Sequence, residues 1–218
     1  MIDLHTHSLL SDGVLLPAEL VQRARAKGYK GMAITDHADQ SNFDWVVTRI
    51  VGFCEEFRKK SDFLVIPGVE LTHIPPETID YLAREARKLG AGLVVVHGET
   101  IVEPVPLGTN KAALEAGVDI LAHPGLISPE EVFRAKENGI MLEISARQGH
   151  CLTNGHVARL AKEIGASLIL NSDAHGPEDL LEIQQAQRIA RGAGLNDDDW
   201  EEIKKNAFTL LKTILERK

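Results

Sequence analysis

The chain opens Met1-Ile-Asp-Leu-His-Thr-His-Ser-Leu-Leu-Ser-Asp-Gly13, a short apolar strand running into a polar loop. His5 and His7 stand two residues apart, and on an extended backbone side chains at that spacing project from the same side. Asp12 precedes Gly13, whose backbone freedom permits a tight turn that would bring a carboxylate back over the pair. Imidazole and carboxylate converging at a strand end form a site for a borderline divalent metal. Two exposed histidines beside a turn would look the same in isolation, so the rest of the chain decides the reading.

A length of 218 residues suits one α/β barrel, and 44% apolar residues with only 5% aromatics implies a core of Val, Ile, Leu and Ala. The net charge of -8 argues against gripping long nucleic acid or an anionic membrane through a surface field. It does not exclude an anionic substrate, because bound cations would reverse the local sign. Cys54 and Cys151 lack CxxC spacing and read as free thiols of a reducing compartment. The start of the chain shows no leader pattern, and no run of about 18 apolar residues follows, so a cytoplasmic protein without a membrane segment is expected.

Strand and helix patterns alternate throughout. Strands are predicted at the N-terminus and over Gly31–Thr35, Phe63–Ile66, Gly92–Val96, Asp119–Ala122, Ile140–Ile144 and Ser167–Leu170. Helices are predicted over Pro17–Lys27, Asp44–Lys60, Pro76–Leu89, Asn110–Ala116, Pro129–Asn138, Gly155–Ile164, Pro177–Arg191 and Asp197–Arg217. Such alternation predicts a parallel sheet with helices outside. With no linker or low-complexity break, residues 1–218 read as a single closed or nearly closed barrel domain. The apolar stripe of its last helix, about 197–217, should pack on the barrel.

Of the nine histidines, His5, His7, His37, His97, His123 and His175 fall at or just past predicted strand C-termini, as do Asp12, Asp36, Glu70 and Asp173. That face of a parallel barrel is where loops leave room for chemistry. His5-Thr6-His7, Ser11-Asp12-Gly13, Thr35-Asp36-His37, Pro67-Gly68-Val69-Glu70, His97, His123-Pro124 and Ser172-Asp173-Ala174-His175 together resemble the PHP (polymerase and histidinol phosphatase) superfamily. The resemblance implies a distorted TIM-like (β/α)7 barrel and a site for up to three divalent metals. It assigns His5, His7, Glu70 and Asp173 to one ion, and Glu70 as a bridge to a second completed by His97 and His123. Asp12, His37 and His175 take the third, Asp12 standing where the family varies between Asp and His. A bridging carboxylate holds two cations at about 3.5–4 Å, and a hydroxide shared by them becomes available near neutral pH. Mixed imidazole and carboxylate ligation suits Zn, Mn or Fe without choosing between them.

Asp36 would either orient His37 or cap its loop. The loop after the sixth strand carries Arg147, which could fork onto a substrate phosphate, and His150 and His156, which could protonate a leaving oxygen. His73 and Lys111 are weaker candidates near the site, and Trp45 and Trp200 read as packing groups. The expected activity is a metal-dependent phosphoesterase acting on a small phosphomonoester, histidinol-phosphate-like or a nucleotide. The alternatives are a phosphodiesterase or exonuclease on short oligonucleotides or cyclic nucleotides, and a non-catalytic module stabilised by metal. The substrate, the native metals and the oligomeric state are not readable from the sequence.

Overall fold

The computed structural model describes residues 1–217. Its strands are β1 (Ile2–Asp3), β2 (Gly31–Ile34), β3 (His37–Ala38), β4 (Leu64–Leu71), β5 (Leu93–His97), β6 (Ile120–Ala122), β7 (Met141–Ser145) and β8 (Leu168–Asn171). The helices are α1 (Pro17–Ala26), α2 (Phe43–Arg58), α3 (Ile79–Lys88), α4 (Thr109–Glu115), α5 (Pro129–Asn138), α6 (Asn154–Ile164), α7 (Ile183–Gly192) and α8 (Asp197–Glu216). Short 3-10 turns over Pro76–Thr78 and His150–Thr153 precede α3 and α6.

All strand pairs are parallel, in the order β1-β2-β4-β5-β6-β7-β8, with β3 on β4. The first and last strands meet through a Thr6–Ala174 bridge, with His7 N–H donating to Ala174 O at 2.8 Å and Asp173 N–H to His5 O at 3.0 Å. Beside this seam, Leu4 N–H donates to the Asn171 side-chain oxygen at 2.9 Å. The sheet is therefore nearly closed into the distorted barrel that the alternation predicts. Its eight strands make seven staves, because β2 and β3 are one stave interrupted at Thr35-Asp36: β2 pairs with Leu64–Pro67 and β3 with Glu70–Leu71.

β4 outruns its predicted end at Ile66 and continues through Pro67-Gly68. Pro67 still accepts a bond from Gly92 N–H at 2.8 Å, and a Cβ on Gly68 would stand 2.7 Å from Thr35 Cγ2, so this crossing needs glycine. The helix expected from Pro177 begins only at Ile183. The intervening backbone is pinned elsewhere: Asp179 accepts from the His175 and Gly176 amides, and Leu181 N–H donates to the Tyr29 hydroxyl at 2.8 Å. Trp200 is buried as expected, but Trp45 is 46% exposed on α2 and packs little.

Inward-facing Leu4, Ala33, Ile66, Leu93, Val95, Ile120, Ala122 and Ile169 meet Ala207, Leu210, Leu211 and Ile214 of α8 in one cluster. α8 thus seals the barrel at the end where the strands begin. Gly31 and Gly92, at those strand starts, make room for it: added Cβ atoms would stand 3.0 Å from Leu211 Cδ2 and 2.7 Å from Ile214 Cγ2. Asn196 and Asp199 form a reciprocal capping box at its N-terminus. Cys54 is fully buried within α2, and burial pushes its thiol up to about 12. Among the described residues, no helix is long and apolar enough to cross a membrane.

Truncating this plug should cost stability without touching the opposite end. Leu211→Ala is expected to lose about 2–5 kcal/mol in urea unfolding while bound-metal content stays unchanged.

Candidate metal centre

Each expected side chain arrives at the mouth opposite α8 by a local device. Gly13 closes the first loop so tightly that a Cβ there would lie 2.5 Å from His7 O. Asp36 clamps the same loop, accepting from Ser8 N–H, Ser8 Oγ and Ser11 Oγ, each at 2.7 Å. Its bonds therefore go to the loop carrying His7 and Asp12. His123 and Asp173 hold left-handed backbone, φ 27° and 54°. For side-chain-bearing residues such conformations cost about 1–3 kcal/mol each and gather at functional sites.

His5 Nε2 lies 3.4 Å from Glu70 Oε2 and 3.8 Å from Asp173 Oδ1, and His7 Nε2 lies 3.6 and 3.2 Å from the same two atoms. His123 Nε2 stands 3.6 Å from Glu70 Oε1 and 3.7 Å from Asp173 Oδ2. Farther out, His37 and His175 place Nε2 at 3.6 and 3.2 Å from Asp12 Oδ1. Two donors each about 2.1 Å from one tetrahedral ion stand about 3.4 Å apart, so the spacing is that of ligands around shared cations. Buried atoms without any hydrogen-bond partner include His5 Nε2, both His7 nitrogens, both Glu70 oxygens, His123 Nδ1 and Asp173 Oδ1. Orphaned buried polar atoms cost about 1–3 kcal/mol each, and their convergence on one spot fits a site for divalent metal.

The ring tautomers say the same. His5 Nδ1 faces Glu143 Oε1 at 2.8 Å, His97 Nδ1 faces Gly98 O at 3.2 Å, and His175 Nδ1 faces Asp173 O at 3.0 Å. These partners only accept, so Nδ1 carries the proton in each ring. His37 Nδ1 meets Thr72 Oγ1 at 2.7 Å, whose own proton goes to Glu70 O, and stands equally close, at 2.7 Å, to Glu70 Oε2. In these four rings the Nε2 lone pair is thereby aimed at a carboxylate, an arrangement that needs a cation between them. Without metal the cation is a proton. Burial opposes charge on His5, but Glu143, Glu70 and Asp173 outweigh it and raise its pKa; His37, likewise buried, is lifted to about 9 by Glu70. Burial and neighbouring imidazoles hold His7 and His123 neutral. Burial also works against the charge on Glu70, yet His5 and His37 keep its carboxyl well below the usual range. Asp173 is pushed up by burial, which His5 does not offset.

The structure gathers His5, His7, Asp12, His37, Glu70, His97, His123, Asp173 and His175 at one mouth. A cavity of about 240 Å³ there is also walled by Arg147 and His150. Arg147, 3.5 Å from Asp173 O and 3.6 Å from Asp179, keeps its guanidinium at that wall. His150 stacks on His123 at 4.0 Å. His156 is not brought in: its Nε2 is taken by Ile127 O at 2.7 Å. Lys111 lies in a separate groove with Glu130 and Arg134. His97 falls into two compact sets, one with His123 and His150 and one with His73 and Glu103; Glu70 belongs to neither.

Sequence reasoning missed two carboxylates. Glu143, fully buried in β7, accepts from His5, from Asn171 Nδ2 at 2.8 Å and from His123 N–H at 3.2 Å. Its signal was present, a lone charge in the apolar run Met141-Leu-Glu-Ile144. Glu103 reaches His97 from the loop after β5, and the hydrogen bond from His97 draws its carboxyl down to about 2.

Two outcomes follow. Loading metal-free protein with Mn or Zn at pH 7.5 should expel protons, His37 being charged there because its pKa is near 9. Uptake therefore strengthens as pH rises from 6.5 toward 9, and calorimetry should show a heat that varies with buffer ionisation enthalpy; a buffer-independent heat would contradict it. Glu143→Gln, which loosens His5, should weaken metal binding by about 10–100-fold in chelator competition.

Comparison with known proteins gives this arrangement its relatives. The PHP domain family model matches residues 3–213. An uncharacterized Methanocaldococcus jannaschii protein is 50% identical over 91% of this chain and 92% of its own length. A Shewanella pealeana protein named probable phosphatase is 29% identical over 88% of this chain and 84% of its own. The Bacillus subtilis DNA polymerase/3'-5' exonuclease PolX is also 29% identical over 87% of this chain, which spans only 36% of that protein. Among solved structures, a chain from archaeal ribonuclease P with mature tRNA superposes with TM-score 0.74 at 15% identity, covering 100% of this chain and 94% of that one. A candidate histidinol phosphatase of Listeria monocytogenes does so with TM-score 0.61 at 13% identity, covering 83% and 97%; at such identities both report the fold alone. Nearly the whole chain thus matches one family, and its mouth carries a buried imidazole–carboxylate cluster shaped for cations: the chain belongs to the PHP domain family, as a metal-dependent phosphoesterase.

Proposed function

We propose that the chain hydrolyses a small phosphomonoester, with His5, His7, Glu70 and Asp173 holding one divalent ion, His97 and His123 a second, and Asp12, His37 and His175 a third. The observation that carries this reading is the cavity of about 240 Å³, lined by the cluster on its floor and by Arg147 on its wall. Small-molecule pockets usually run from about 300 to 1,000 Å³, so this one takes the phosphate end of a compact ester. The relatives named probable phosphatase support the same choice.

Bound divalent cations supply charge neutralisation for the transferred phosphoryl group and acidify a water molecule. The chain's own residues do the positioning. Glu143 and the Gly98 and Asp173 carbonyls fix the imidazoles so that their lone pairs face inward. Arg147 presents a planar fork that orients a phosphate against the cluster. Burial pulls the His150 pKa down to about 4, so near neutral pH it serves as an uncharged wall and hydrogen-bond partner and not as a store of protons. His156, committed to Ile127 O, takes no part.

Phosphate release from a panel of monoesters and diesters, with Mn or Zn added, tests the reading. Monoester turnover is expected, abolished in Glu70→Gln and Asp173→Asn; Arg147→Ala should raise KM about tenfold or more with metal retained. Turnover of diesters alone would replace the phosphatase with a cyclic-nucleotide esterase or with a nuclease, the latter being the role that the likeness to PolX favours. Bound metal without turnover of either class would refute hydrolysis.

A further inference from the structure

Glu103 has no counterpart in the motifs that place the chain in its family, yet it occupies a position that a metal ligand would take. Its Oε2 stands 3.0 Å from His97 Nε2 and 3.1 Å from His73 Nε2, while Oε1 stands 3.4 Å from His150 Nε2. The ligand set expected at His97 draws its carboxylate from Glu70, but no compact set unites those two residues; the carboxylate grouped with His97 is Glu103.

The tautomer of His97 sharpens the point. Its Nδ1 proton is directed at Gly98 O, so in the neutral ring Nε2 is a lone pair pointed at a carboxylate oxygen. The 3.0 Å contact therefore holds only with a cation between the two, the proton that hydrogen-bonds His97 to Glu103 in the metal-free protein or a metal ion in its place. Nor is Glu103 carried on a loose loop. Glu99 Oε1 accepts from Gly108 N–H at 2.9 Å and Asn110 N–H at 3.0 Å, tying both ends of the segment together. Gly98 N–H donates to Ala122 O at 3.0 Å, and Thr100 Oγ1 meets His150 Nδ1 at 2.9 Å. That last bond leaves His150 Nε2 facing Glu103, so the carboxylate is braced from two sides before any ion arrives.

We infer that Glu103 is itself a metal ligand, supplying the carboxylate to the ion bound at His97 from the side away from Glu70, with His73 and His150 steadying it. The inference rests on the proposed role of His97 and on no assumption about the reaction. An oxygen donor added at this position suits a hard or borderline divalent ion such as Mn or Zn. It also means that the ion at His97 is held partly by a loop, where Glu70 and Asp173 are held at strand ends.

The test is metal binding, not turnover. Metal-free wild type, Glu103→Gln, Glu99→Gln and His97→Asn are titrated with Mn by calorimetry, and Co-loaded samples are compared by visible absorption. Glu103→Gln should weaken one binding step by about tenfold or more, leave the others within about twofold, and alter the Co d–d band, a change that loss of nearby charge alone does not produce. Glu99→Gln, which keeps its acceptor to the loop amides, should change neither. If Glu103→Gln binds every ion as the wild type does with an unaltered Co spectrum while His97→Asn loses one, Glu103 is not a ligand and the His97 reading survives. If neither variant changes binding, both fall. Tighter binding in Glu103→Gln would make the residue a competitor for the site and overturn the inference equally.

Discussion

The site depends on a single arrangement repeated around one mouth: imidazole rings whose Nδ1 is tied to an acceptor, so that Nε2 faces a carboxylate. His5 is set by Glu143, His97 by Gly98 O, His175 by Asp173 O and His37 by Thr72. Each anchor lies on the barrel or at its rim, so ring orientation is decided by the fold and not by the ions. The resulting array of opposed lone pairs is unfavourable alone, and cations relieve it. A pocket assembled this way is ready before its ligands arrive, with little ordering left for binding to accomplish.

The two halves of the barrel divide the labour. Toward the strand starts the interior is aliphatic and closed by α8, with Gly31 and Gly92 allowing that helix to approach. Toward the strand ends the same interior turns polar within a residue or two, as Glu143 and Asn171 replace the aliphatic side chains. The aliphatic end gains stability from burial, whereas the polar end carries strained backbone at His123 and Asp173 and orphaned atoms at Glu70 and His7.

Much of this was legible in the residues alone. Strand runs such as Leu93-Val-Val-Val96 and the spacing of histidines past their ends follow from elementary β/α periodicity, and the seven staves came out as counted. What was not legible turned on three-dimensional choices made by single side chains. Pro177 signals a helix start, but Asp179 captures the amides of His175 and Gly176 and delays it. His150 and His156 look alike in a polar loop; a 3-10 turn sends one into the cavity and the other to Ile127 O. Pro67 looks like a strand terminator until Gly68 beside it is seen to let the chain pass under Thr35. Glu103 could be placed only once the path of its loop was known.

The seam between the first and last strands has a consequence for assembly. The backbone hydrogen bonds that join them lie at the site itself, among His5, His7, Asp173 and Ala174. An ion gripped by His5, His7 and Asp173 would therefore be a staple across this seam, fastening the chain's beginning to a point some 170 residues later. Occupancy would then reinforce a seam that the backbone already closes, and metal supply would act on the lifetime of the fold as well as on its chemistry.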